Sequence, residues 1–167
     1  MLPRGVRREP VGPGQESVWD YPRPPVVRPS GAHVVVMLGG VVVLETRRAL
    51  LVLETSHPPG YYLPLADADP EAFLAADGTS WCEWKGQATY LDVVAGSAVA
   101  PSAAWTYRNP SPAYRELVDH VGIYPRLMDR CTVDGEVVRP QPGTFYGGWV
   151  TDSVAGPVKG EPGSAGW

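Results

Sequence analysis

The stretch His33-Val34-Val35-Val36-Met37-Leu38-Gly39-Gly40-Val41-Val42-Val43-Leu44-Glu45 decides the fold. Two β-branched runs flank a pair of glycines. Branched side chains suit a pleated surface. Gly-Gly supplies the positive φ that tight hairpin turns require. A phosphate-cradling loop is excluded here, because no Lys-Ser/Thr follows and no helix opens after the glycines. Ala49 to Glu54 reads as a third strand and Tyr61 to Leu63 as a fourth. Such short connections leave no room for helical crossovers, so the pairing is antiparallel. Asp134-Gly135, between Cys131-Thr132-Val133 and Glu136-Val137-Val138, repeats the hairpin signal.

Outward from this core the chain is punctuated by turns. Among 167 residues, Gly and Pro number 19 each, which argues against long helices. Residues 1–15 are Pro, Gly and Arg-rich and read as a flexible arm. Residues 16–167 read as one β domain. Trp19 and Tyr21 precede an extended run, Pro22 to Pro29, which they are placed to pin to a surface. Asp69-Pro70-Glu71 has the form of a helix start, with Phe73 and Leu74 as its apolar face and Gly78 as its end. Thr79 to Trp84, Gln87 to Ala95 and Ala103 to Tyr107 read as strands, and Pro112 to Val118 as a short helical turn. The Gly/Pro-rich end holds Phe145, Tyr146, Trp149 and Trp167, too much aromatic surface to leave in water, so it is expected to pack on the domain. The fold class is mainly β: a single antiparallel domain with one or two short helices.

Charge and composition exclude several partners. A net charge of −4 and a pI near 5.3 lack the basic stripe a nucleic-acid binder needs. No apolar run is long enough to span a membrane, and no apolar segment follows the first arginines as in a secretory signal. A cytoplasmic setting is expected, with both cysteines, Cys82 and Cys131, reduced. Oligomeric state is not legible.

Several polar and aromatic strings stand in order along the middle of the chain. They include Arg47-Arg48-Ala49, Val52-Leu53-Glu54-Thr55, Pro58-Pro59-Gly60-Tyr61-Tyr62-Leu63-Pro64, Trp81-Cys82-Glu83-Trp84-Lys85-Gly86, Ala104-Trp105-Thr106-Tyr107 and His120-Val121-Gly122-Ile123-Tyr124-Pro125. With the opening Val18-Trp19-Asp20-Tyr21-Pro22 and the closing Phe145-Tyr146-Gly147-Gly148-Trp149, the chain resembles the bacterial and fungal family called domain of unknown function 427. The resemblance implies a small antiparallel domain of β-tent type and no established activity. The family sometimes carries a nucleotidyltransferase-like label. That chemistry needs carboxylates holding Mg²⁺ against phosphates. The one Asp-x-Asp, Asp67-Ala68-Asp69, is better explained by helix capping. β-Tent relatives often hold zinc in paired Cys-x-x-Cys turns. This chain has none, and the scattered set Cys82, Cys131, His57 and His120 has no ligand spacing, so neither a metal nor another cofactor is expected.

Two readings of the chemistry remain beside a protein-interaction module built on the Pro-rich segment. In the first, Cys82 is a nucleophile with Lys85 lowering its pKa and His120 as base. Regular strand alternation sets Cys82 and Lys85 on opposite faces, which weakens it. In the second, a pocket binds a small polar or nucleotide-like ligand. Arg48 and Glu54, an even number of residues apart, share a face if the strand is regular, as do Trp105 and Tyr107. With Tyr62, Trp84, Lys85 and Tyr90 they form an aromatic wall carrying a few charges, the make-up of a small-molecule site.

Overall fold

The computed structural model describes residues 2–167. Fifteen strands follow in chain order. They are β1 (Glu16–Ser17), β2 (Val26–Ser30), β3 (Val34–Leu38), β4 (Val41–Thr46) and β5 (Ala49–Leu53); then β6 (Gly60–Pro64), β7 (Phe73–Cys82), β8 (Gly86–Ala95), β9 (Ala98–Thr106) and β10 (His120–Ile123); and last β11 (Arg130–Val133), β12 (Glu136–Val137), β13 (Arg139–Pro140), β14 (Trp149–Val150) and β15 (Val154–Ala155). Seven form one sheet in the order β2-β5-β6-β10-β9-β8-β7, and four form a second in the order β12-β11-β3-β4. Every pairing within these two sheets is antiparallel; β1 and β15 pair in parallel. The chain is mainly β, as expected.

Both hairpins named from sequence are present. Gly39 and Gly40 hold φ of 60° and 74° between β3 and β4, and Asp134 and Gly135 hold 48° and 83° between β11 and β12. Two consecutive positive φ values match the twist of the flanking strands.

Period-two alternation divides the seven-stranded sheet between two cores. Leu51, Leu53, Tyr61, Leu63 and Ala104 face the four-stranded sheet and join Val34, Val36 and Cys131 in the main core. Their neighbours Val52 and Tyr62 face the other way, onto a second cluster with Ala88, Tyr107, Tyr114 and Leu117. This is why β5 and β6 read as unbroken apolar runs: both faces are covered.

The expected helix at Asp69 does not form. Asp69 Oδ1 accepts from Glu71 N at 3.0 Å, which closes a local turn, and Phe73 and Leu74 open strand β7. Asp-Pro serves an Asx turn as well as a helix cap. The other helical expectation is a 3-10 turn, Pro112–Leu117.

Residues 2–15 touch the body at several points. Glu9 N donates to Gly156 O and Gly156 N to Glu9 Oε2, while Arg8 pairs with Asp20 at 2.6 Å. Trp19 and Tyr21 are buried. Trp19 donates to Pro157 O and meets Trp167 edge-on at 5.4 Å. Both rings are thus engaged within this chain, as expected of residues that pin the Pro-rich run to a surface. No helix among the described residues is long and apolar enough to cross a membrane.

Candidate functional site

A cavity of about 480 Å³ lies on the second-core face of the large sheet. Its floor is Tyr62 on β6, Tyr90 on β8, Trp105 on β9 and Tyr107 immediately after it. Trp105 lies opposite Gly122 on β10 and Tyr90 on β8. A Cβ on Gly122 or on Gly147 would overlap its ring, so the indole sits in a slot that two bare backbones leave open. Trp105 Nε1 donates to Tyr62 OH at 3.2 Å, and its ring lies 4.6 Å from that of Tyr124. Burial pushes the Tyr107 hydroxyl well above the ordinary phenol range and Tyr124 up to about 12, so both remain protonated donors at neutral pH.

Lys85 and Cys82 both line this cavity. Strand β7 stops at Cys82, which pairs with Gly86, and Glu83-Trp84-Lys85 forms the turn. Alternation does not run through a turn, so the opposite-face expectation for these two residues is corrected. Burial opposes the Lys85 charge, but Tyr62, Cys82 and the Glu54 carboxylate outweigh it and hold its pKa above the ordinary lysine value. Its Nζ lies 5.6 Å from the Tyr107 ring centre. None of the ion pairs among the described residues involves it.

Glu54 and His57 form a second polar group on the wall. They occupy the link between β5 and β6, where Ser56 takes a φ of 72° and His57 N donates to Glu54 O at 3.0 Å. That turn brings Glu54 Oε2 within 3.0 Å of His57 Nδ1, with side chains only 19% and 13% exposed. Sequence reasoning placed His57 only in the discarded metal set. The usable signal was Glu-x-x-His followed by Pro58-Pro59, an acid and an imidazole held together by a turn.

The last wall comes from the C-terminal segment. Gln141 donates to Lys159 O at 2.8 Å and accepts from Gly148 N at 3.1 Å, while Tyr124 OH donates to Phe145 O at 2.9 Å. These bonds set Tyr146 edge-on to His57 at 5.1 Å. Trp81 and Phe145, exposed by 73% and 60%, also border the cavity.

Seven of the eight proposed binding residues therefore border one cavity: Glu54, Tyr62, Trp84, Lys85, Tyr90, Trp105 and Tyr107. Arg48 does not. It lies in the turn before β5, exposed, and binds Asp67 through Nη2 at 2.6 Å and Nε at 3.2 Å. The even-spacing argument needed a strand through both residues, whereas β5 spans only Ala49–Leu53. Arg48→Ala is expected to leave ligand binding unchanged and to move the melting temperature little, since exposed ion pairs contribute weakly. Calorimetry with and without ligand checks both.

The Cys82–His120 pair is not assembled either. His120 does not line the cavity, and its Nδ1 lies 2.9 Å from Val118 O. Cys131 is in the main core, its thiol pushed up to about 12 by burial. Asp67 is engaged by the Arg48 guanidinium and the Thr46 hydroxyl, and Asp69 accepts from Glu71 N, so both carboxylates of the Asp-x-Asp string have partners within the chain. Among the described residues no group of three or more His, Cys, Asp or Glu side chains could hold a metal.

No curated protein matches the chain. A family sequence model described as a domain of unknown function (DUF427) matches residues 26–134. That span runs from β2 to the β11–β12 turn and contains Glu54, His57, Lys85 and Trp105. This chain therefore belongs to the DUF427 family of domains of unknown function.

Proposed function

We propose that the cavity binds a small ligand with a flat face and an anionic group, of the kind a nucleotide or an aromatic acid presents. The observation that carries this reading is Lys85, an ammonium lining an aromatic cavity and, among the described residues, in no ion pair. Its neighbours keep that charge formed despite burial, so an anionic group entering the cavity meets a ready cation. The Tyr107 ring lies 5.6 Å from its Nζ, and Tyr62, Lys159 and Arg23 line the same cavity. The Trp105 and Trp84 rings offer area for a planar group.

A thermal-shift series tests it, using phenyl phosphate and adenosine monophosphate against phenol and adenosine. The anionic members at about 100 times their dissociation constant should add roughly 2.7 kcal/mol of stability. Lys85→Met keeps the stem and removes the charge. It is expected to weaken their binding by roughly tenfold or more, the worth of a charged hydrogen bond. Stabilisation that ignores the anionic group, or survives Lys85→Met, overturns the reading.

A further inference from the structure

We propose that Glu54 and His57 form a general-base pair aimed into the cavity, taking a proton from a flat, weakly acidic ligand while Lys85 receives the negative charge that develops. The inference rests on the ligand-binding reading above and adds a reaction to it.

The tautomer of His57 carries the argument. Its Nδ1 lies 3.0 Å from Glu54 Oε2 and 3.0 Å from Thr55 O, with Ser56 Oγ at 3.5 Å. Carboxylate and carbonyl oxygens only accept, so Nδ1 carries the proton. In the neutral ring Nε2 is then a bare lone pair. No hydrogen bond reaches Nε2, yet the only sealed side-chain polar atom lacking a partner among the described residues is Thr89 Oγ1. Nε2 is therefore reachable, and the space beside His57 is the cavity.

The charges around the ring favour the base form. Burial lowers the His57 pKa most strongly; Glu54 pulls it upward, and Lys159 and Arg23 push it down, leaving it below the ordinary histidine value. The ring is neutral at pH 7 and ready to accept. Glu54 is a positioning residue, since it acts through His57. A base so held contributes about 10²–10⁴ in rate, and a cation where charge appears adds to it.

Nitrobenzisoxazole is a suitable probe, because it is flat and needs no second reactant. His57 Nε2 takes the ring C–H proton. The freed electron pair completes the nitrile, the N–O bond breaks, and the phenolate oxygen leaves with the charge. The expected result is saturable release of coloured cyanonitrophenolate, reduced about 10²-fold or more in His57→Phe. His57→Gln, which keeps a donor toward Glu54, serves if the Phe variant does not fold. The rate should rise with pH through one midpoint below the usual histidine value and then level off. Glu54→Gln should move that midpoint to still lower pH, because it removes the one anion that favours the imidazolium. A midpoint that belonged to a group other than His57 would not move with Glu54. Elimination that is equal in the wild type and both His57 variants, or a midpoint indifferent to Glu54, overturns the proposal. If phenyl phosphate still binds through Lys85 in that case, the base fails and the binding reading stands; if neither is seen, both fail.

Discussion

Trp149→Ala is expected to lower the stability of the chain by about 3–5 kcal/mol, the range for removing a buried large aromatic side chain. Trp149 is fully buried in the main core. Its ring stacks on Tyr61 at 4.7 Å and 14°, and its Nε1 donates to Ile123 O at 3.0 Å. Alanine removes the ring and leaves a buried carbonyl without its donor, so cavity and desolvation costs add. For a chain of this size that corresponds to a fall in melting temperature of about 6–20 °C. Denaturant titration read by circular dichroism measures the change. A loss under about 1 kcal/mol would mean that the C-terminal segment contributes little to the core.

Gly122→Ala is expected to damage the cavity from beneath. The new methyl overlaps the Trp105 ring, and β10 is too deeply buried to yield, since Val121 and Ile123 on either side are both inaccessible. Overpacking of this kind costs about 1–3 kcal/mol. The displaced indole also leaves Tyr62, so affinity for a flat ligand should fall by roughly tenfold or more for a loss of 1.4 kcal/mol. A double-mutant cycle isolates the cause. In a Trp105→Leu background, the Gly122→Ala penalty should largely disappear. A penalty of equal size in both backgrounds would place the strain in the backbone rather than against the ring. Gly147→Ala meets the same ring from the other side and should behave alike.

The features legible in the sequence were the local ones. Gly39-Gly40 and Asp134-Gly135 specify their turns through φ alone, so neighbouring residues suffice to read them. The shared face of Trp105 and Tyr107 likewise follows from strand period. Strand order was not legible, because β2 pairs with β5 and β11 with β3 through contacts distant in sequence. Two errors at the site, the placing of Arg48 and of Lys85, share one origin, a strand rule extended past a strand end. Arg48 precedes β5, and Lys85 follows β7 by a turn. The Glu54–His57 pair depends on the left-handed backbone at Ser56, a conformation that serine seldom adopts and does not signal. The C-terminal aromatics divide in a way that composition cannot show: Trp149 fills the core while Phe145 stands largely in solvent.

The parallel pairing of β1 with β15 bears on how the molecule is made. Glu16 leaves the ribosome on the order of ten seconds before its partner Val154 at ordinary rates of synthesis. All seven strands of the large sheet emerge in that interval, and with them the aromatic floor, Lys85 and His57. The wall formed by Gln141, Tyr146 and Lys159 is synthesised after them. A nascent chain thus displays an open apolar trough before it can close it. That interval is when a holding chaperone would be needed, and when a premature stop would yield a sticky fragment instead of a smaller working protein.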